Sequence, residues 1–143
     1  MLVETRVGRL FVESVGEGPE VVFWHSLLCD GGMWRKVIDL LSTSFRCVNV
    51  DAPGHGRSSP LRRGFTMDEC VDAGIEVLDA LSLAKPAWVG LSWGGMVGMR
   101  LAARHPDRVR ALALFDTSAR EEKRAQKLAQ YRVLSIAESV LGP

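Results

Sequence analysis

A surplus of charge of one sign is missing from this sequence. Eighteen Lys and Arg stand against 17 Asp and Glu, a formal net charge of +1. That balance removes any electrostatic reason to expect nucleic acid or an acidic membrane surface as a partner. Long apolar runs are missing too. The opening MLVETRVGRL is broken by Glu4, Arg6 and Arg9, so it reads neither as a signal peptide nor as a membrane span. Cysteine is scarce. Cys29, Cys47 and Cys70 are odd in number and far apart, which excludes a disulfide framework and a zinc site. They read as reduced, packed, inert thiols of a cytoplasmic protein, Cys29 included. The G-x-x-x-x-G-K-[ST] phosphate loop is absent, as are internal repeats, low-complexity tracts and long linkers.

What is present is an ordinary globular composition, 47% hydrophobic and 24% charged over 143 residues. That is enough for one domain with a core. Short apolar runs alternate with helical patterns, the signature of an α/β fold. It predicts a three-layer αβα sandwich around a mostly parallel sheet. Residues 2–7 and 9–15 read as a hairpin joined at Gly8, and Glu20 to Trp24 as a buried strand. Residues 32–42 read as a helix carrying Trp34, Val37, Ile38 and Leu41. Phe45 to Val50 is a further strand. Thr66 and Glu69 fit a capping box that opens a helix, on which Cys70, Val71, Gly74, Leu78 and Leu81 share a face. Ala87 to Leu91 is a strand, Trp93 to Arg104 a helix stopped near Pro106, and Val109 to Phe115 the next strand. An amphipathic helix is expected over 119–141.

Three segments carry chemistry. Gly90-Leu91-Ser92-Trp93-Gly94 lies where a strand meets a helix. A serine there is forced into a tight turn that exposes its hydroxyl above the sheet, and the crowding demands small residues at Gly90 and Gly94. The helix beginning at Trp93 aims free N–H groups at the place where negative charge would develop. His25-Ser26-Leu27-Leu28 follows the earlier strand. A loop so placed can lend a second N–H, here assigned to Leu27, to an oxyanion hole shared with the Trp93 N–H. His25 is expected to hydrogen-bond within its loop instead of acting as a base. Asp51-Ala52-Pro53-Gly54-His55-Gly56-Arg57-Ser58 makes a sharp exit from its strand. Asp51 and Arg57 are expected to pair across it, with His55 as a loop hydrogen-bonder. Trp24, Trp34 and Trp93 hint at an apolar site, with Trp93 and Leu28 expected to touch substrate.

This order of motifs, followed by His105-Pro106-Asp107-Arg108-Val109, resembles the α/β-hydrolase superfamily. The run Gly90 to Gly98 and the His25-Ser26-Leu27 segment look most like 3-oxoadipate enol-lactonase and related esterases. The resemblance implies a serine-nucleophile hydrolase acting through an acyl-serine on a small-molecule ester or lactone, with no metal or organic cofactor. It places residues 1–118 in the N-terminal part of the hydrolase core and 119–143 at the first helix of the cap. It also supplies an order, Ser then acid then His. Some members draw their acid from the strand end where Asp116 lies; capping of the next helix is the competing reading of that residue.

The only histidine after Ser92 is His105, about 12 residues along the following helix and so roughly 18 Å from the serine. The sequence therefore reads as a truncated chain lacking its catalytic histidine, with about six of the eight family strands. The strand 109–115 would become an open edge suited to self-association. A non-catalytic binding or interaction protein of hydrolase-like fold is the reading from another class. Perhydrolysis and carbon–carbon bond hydrolysis stay open within the fold.

Overall fold

The computed structural model describes residues 1–119. Its strands are β1 (Leu2–Thr5), β2 (Gly8–Val15), β3 (Glu20–Trp24), β4 (Arg46–Val50), β5 (Ala87–Leu91) and β6 (Ala111–Phe115). Its helices are α1 (Arg35–Leu41), α2 (Met67–Ala80) and α3 (Trp93–Arg104), and a 3-10 turn, Gly31–Trp34, leads into α1. The strands form one sheet in the order β1-β2-β4-β3-β5-β6. Pairing is parallel from β4 through β3 and β5 to β6, and antiparallel at β1 and β2.

Alternation along the strands divides the core into two layers. Val22, Trp24, Val48, Val50 and Trp88 face α2 and α3, where they meet Cys70, Val71, Val77, Leu78, Val97 and Leu101. Val21, Phe23 and Cys47 face the other way and pack on Trp34 and Ile38. Four of five residues are therefore buried in both β3 and β4, as expected of strands covered on two faces. The capping box forms as expected: Glu69 N–H donates to Thr66 Oγ1 at 3.1 Å and Thr66 N–H to Glu69 Oε2 at 2.8 Å. Arg63 lies 2.7 Å from Glu69 and, with the Thr66 amide, holds its carboxyl at about 2.

Four expectations need correction. The hairpin turns at Arg6 and Val7, and Gly8, with φ +115°, is already the first residue of β2, opposite Thr5. The 32–42 helix begins as a 3-10 turn capped by the Asp30 side chain on Gly32 N–H, and this rotates Val37 outward to 40% exposure. The last strand starts at Ala111, because Arg110 N–H is taken by Pro86 O and the register with β5 begins at Ala87. Cys29 is exposed, unlike Cys47 and Cys70, because its loop arches off the sheet. The helix expected over 119–141 lies, beyond Ala119, outside the described residues. Among the described residues β6 pairs only with β5, and Leu112, Leu114 and Phe115 are exposed along it.

Candidate active site

Strand β5 runs directly into α3, and Ser92 is the hinge. Its φ is +49° and ψ −110°, a conformation that costs a non-glycine residue of order 1–3 kcal/mol and persists only where neighbours over-determine it. They do so here. Ser92 N–H donates to Phe115 O at 2.9 Å, and its carbonyl accepts Gly95 N–H at 3.0 Å, Met96 N–H at 3.1 Å and the Thr117 hydroxyl at 2.7 Å. The Ser92 side chain caps nothing. Its backbone is thus fully tied while its hydroxyl has no protein partner among the described residues.

Crowding explains the glycines. A Cβ on Gly90 would strike the Gly94 carbonyl, and one on Gly94 would strike the carbonyls of Trp24 and His25. The first turn of α3 therefore lies directly against the exit of β3. Gly95 leaves room for Thr117, whose Cβ would otherwise be 2.7 Å away. Sequence reasoning missed Thr117; its position just past the end of β6 is the only signal, and nothing local marks it.

The loop after β3 sits beside this helix start. Leu28 is in the left-handed region at φ +62° and is 56% exposed, while Leu27 packs against the main core. The N–H groups of Leu27 and Trp93 have no hydrogen-bond partner among the described residues. Both sit at one end of the sheet, where Trp24 pairs with Gly90. The positive end of the α3 dipole adds to them.

The Trp93 ring, of the pair expected to touch substrate, packs inward. It is 9% exposed and belongs to the core, with ring centroids 6.4 Å from Trp24, 5.6 Å from His55 and 6.3 Å from Phe65. Packing, not solvent, occupies most of its surface. Leu28 is the exposed apolar residue of the pair expected to meet substrate.

None of the three histidines is aimed at Ser92. His25 is fully buried; its Nε2 accepts Ala52 N–H at 2.8 Å, so Nδ1 carries the proton and donates to Ser26 O at 2.7 Å. Burial pushes its pKa down, with the neighbouring His55 adding to the effect and the Ser26 carbonyl opposing it. His55 sits 2.8 Å from Pro53 O through Nδ1 and 3.4 Å from Leu28 N–H through Nε2. His105 ends α3, its N–H on Leu101 O, a full helix length from Ser92. Asp116, exposed and at φ +42°, follows Phe115, which pairs with Leu91; the register sets it level with Ser92. Asp51 and Arg57 do pair, the Arg57 N–H at 2.8 Å and its Nε at 3.6 Å from Oδ2. Among the described residues no three His, Cys, Asp or Glu side chains gather as a metal site would require.

Known proteins share this fold. A family model described as alpha/beta hydrolase fold matches residues 19–139. A pimeloyl-[acyl-carrier protein] methyl ester esterase of Chromobacterium violaceum is 41% identical over 139 residues, which is 94% of this chain and 52% of that protein. The structure of a thermophilic esterase from Thermogutta terrifontis superposes with a TM-score of 0.88 at 29% identity, over 96% of this chain and 53% of that one. The enol-lactonase from Burkholderia xenovorans gives a TM-score of 0.84 at 30% identity, over 99% and 58%. The chain spans about half the length of the relatives it matches.

Proposed function

The chain belongs to the α/β-hydrolase fold family, and on that premise we propose that Ser92 is the nucleophile of a serine hydrolase acting on a small-molecule ester or lactone. One observation carries the reading: a strained serine with every backbone group tied and its hydroxyl left free. In the proposed reaction Ser92 Oγ attacks the substrate carbonyl and its proton passes to a base. The carbonyl oxygen becomes an oxyanion held by the Leu27 and Trp93 N–H groups. Collapse restores the carbonyl and breaks the bond from its carbon to the alkoxy oxygen, the leaving alkoxide recovers the proton, and water later releases the acyl group from serine. Leu28 lines the apolar entrance. Asp116 stands level with Ser92, where an acid would orient that base, a part that His25, His55 and His105 are not free to play. The three unpaired thiols support a cytoplasmic setting. The β6 edge, which among the described residues pairs only with β5 and exposes Leu112, Leu114 and Phe115, supports self-association, and light scattering of an eluted monomer peak would refute that part.

The preference for an ester or lactone comes from the names of the relatives, an esterase and an enol-lactonase. The test is covalent labelling by a fluorophosphonate, followed by hydrolysis of p-nitrophenyl acetate. Labelling on Ser92 well above the rate of free serine, abolished in Ser92→Ala, supports the proposal. Labelling no faster than free serine overturns it. The second reading, a binding protein that keeps the fold without the chemistry, is favoured by the engagement of His25 and His55 in loop hydrogen bonds, and the same labelling rate decides between the two.

A further inference from the structure

Two loops leave the same end of the sheet, one after β3 and one after β4, and a buried carboxylate joins them. The Asp51 side chain is 4% exposed. Its Oδ1 accepts Gly31 N–H at 2.7 Å and its Oδ2 accepts Arg57 N–H at 2.8 Å. From the residue two positions earlier, Asn49 Nδ2 donates to Gly31 O at 2.9 Å. Both polar groups of Gly31 are thus held by the end of β4. Glycine is required there, because a Cβ would lie 2.6 Å from Asn49 Nδ2 and 2.8 Å from Asp51 Oδ1.

We infer that Asp51, assisted by Asn49, is a positioning residue that sets where the Leu27 N–H sits relative to Ser92. The other end of the loop is fixed to the same strand exit, since His25 Nε2 takes the N–H of Ala52. Residues 26–30 are then a short arc between two anchors on β4. An arc of five residues has little slack, so a shift at Gly31 is passed to Leu27. Across from it, the Trp93 N–H is held in place by the contact of Gly94 with the β3 exit. The separation of the two donors therefore depends on the Asp51 anchor. Charge-assisted bonds of this length are the strong kind, and burial shields them from competing water. The chemical meaning of Leu27 rests on the proposed function; the anchoring of the loop does not.

The test uses Asp51→Asn and Asn49→Leu in the full chain. Asp51→Asn keeps the volume but turns an amide N–H toward either Gly31 or Arg57, so one of the two bonds is lost. Amide hydrogen exchange at residues 27–31 and the fluorophosphonate labelling of Ser92 are both measured. Exchange at 27–31 is expected to rise while α2 stays protected. The maximal labelling rate is expected to fall about 10²-fold, the penalty for a misplaced or missing oxyanion donor, with the inhibitor's binding constant unchanged. A general loss of packing would move α2 exchange as well. Wild-type exchange at 27–31 in both variants overturns the anchor. Raised exchange with an unchanged labelling rate overturns the positioning role. A wild-type Ser92 that does not label sinks the hydrolase reading and the positioning role with it, while exchange alone then decides the anchor. Should Asp51→Asn fail to fold, Asn49→Leu carries the same readouts.

Discussion

Replacing Gly94 with alanine tests the elbow where it is tightest. The new methyl would strike the Trp24 carbonyl oxygen and lie 2.8 Å from the Trp24 carbonyl carbon and 2.9 Å from His25 O. All of these are backbone atoms at the end of β3, which is held between β4 and β5, so none can swing aside. Relief requires the first turn of α3 to retreat by on the order of 1 Å, and overpacking of this kind costs about 1–3 kcal/mol. The retreat also stretches the bond from Trp88 Nε1 to Gly94 O, now 3.1 Å, for about 1 kcal/mol more. The helical preference of alanine over glycine returns at most about 1 kcal/mol. The net loss is about 2 kcal/mol, or roughly 7 °C in Tm for a chain of this size. A 1 Å displacement of the nucleophile should also slow Ser92 labelling about 10²-fold. Gly74→Ala is the control. Its Cβ would lie 3.3 Å from Trp88 Cη2 and 3.4 Å from Leu101 Cδ1, both side-chain atoms that can yield, in mid-helix. Gly74→Ala should melt at or slightly above the wild type and label normally. Melting by circular dichroism and labelling kinetics read both. Gly94→Ala behaving as wild type, or Gly74→Ala failing equally, would refute the reasoning.

Ser92→Gly and Ser92→Ala should both abolish labelling. Ser92→Gly should be the more stable of the two by about 1 kcal/mol in urea titration, because glycine accepts φ +49° and gives back part of that gain as unfolded-state entropy. His25 makes stability depend on pH. Its folded pKa is lowered by burial, so its contribution is complete above the unfolded value near 6.5 and is lost as pH falls from there toward the folded one. Tm should decline from pH 7 to 5, and His25→Gln should flatten that decline. With the native fold intact, Ellman's reagent should titrate one thiol, Cys29, and all three only after denaturation; burial pushes the Cys47 and Cys70 thiols up and keeps them inert.

The elbow could be read from the sequence because its causes are local. Gly90, Ser92 and Gly94 fall within five residues, and the strand before them and helix after them are visible as periodicity. The Thr66–Glu69 capping box is legible for the same reason. What escaped was contact at long range. Thr117 braces Ser92 O from 25 residues away, and Asn49 and Asp51 hold Gly31 from 18 and 20 residues away. Asp51 was assigned to Arg57, its near neighbour in sequence, and that pairing exists, but its shorter bond goes to Gly31. The outward turn of Val37 has a related cause. A helical pattern assumes one period throughout, and the 3-10 turn set by Asp30 rotates the register before α1 begins.

The proposed nucleophile is held by the ends of β3, β5 and β6, whereas a base would need a ring nitrogen with its lone pair free toward Ser92. The His25 lone pair is engaged by Ala52 N–H, and its other nitrogen donates to Ser26 O. The His55 lone pair faces Leu28 N–H at 3.4 Å, long for a hydrogen bond, and freeing it would disturb the oxyanion loop. His105 is at the far end of α3. With none of these three rings free toward it, Ser92 in this chain should react slowly, with turnover on the order of 10⁴-fold or more below that of a complete triad though still above free serine. A diffusible base should then restore part of the rate. Imidazole added to the chain is expected to raise Ser92 labelling in proportion to its concentration, and to do so far less for Gly94→Ala, where the oxyanion donors are displaced. Labelling as fast as a complete triad gives without imidazole, and unmoved by it, would show that one of these rings does act on Ser92. His55→Gln would then be the variant to lose it, since His55 has the weaker of the two engagements near the site.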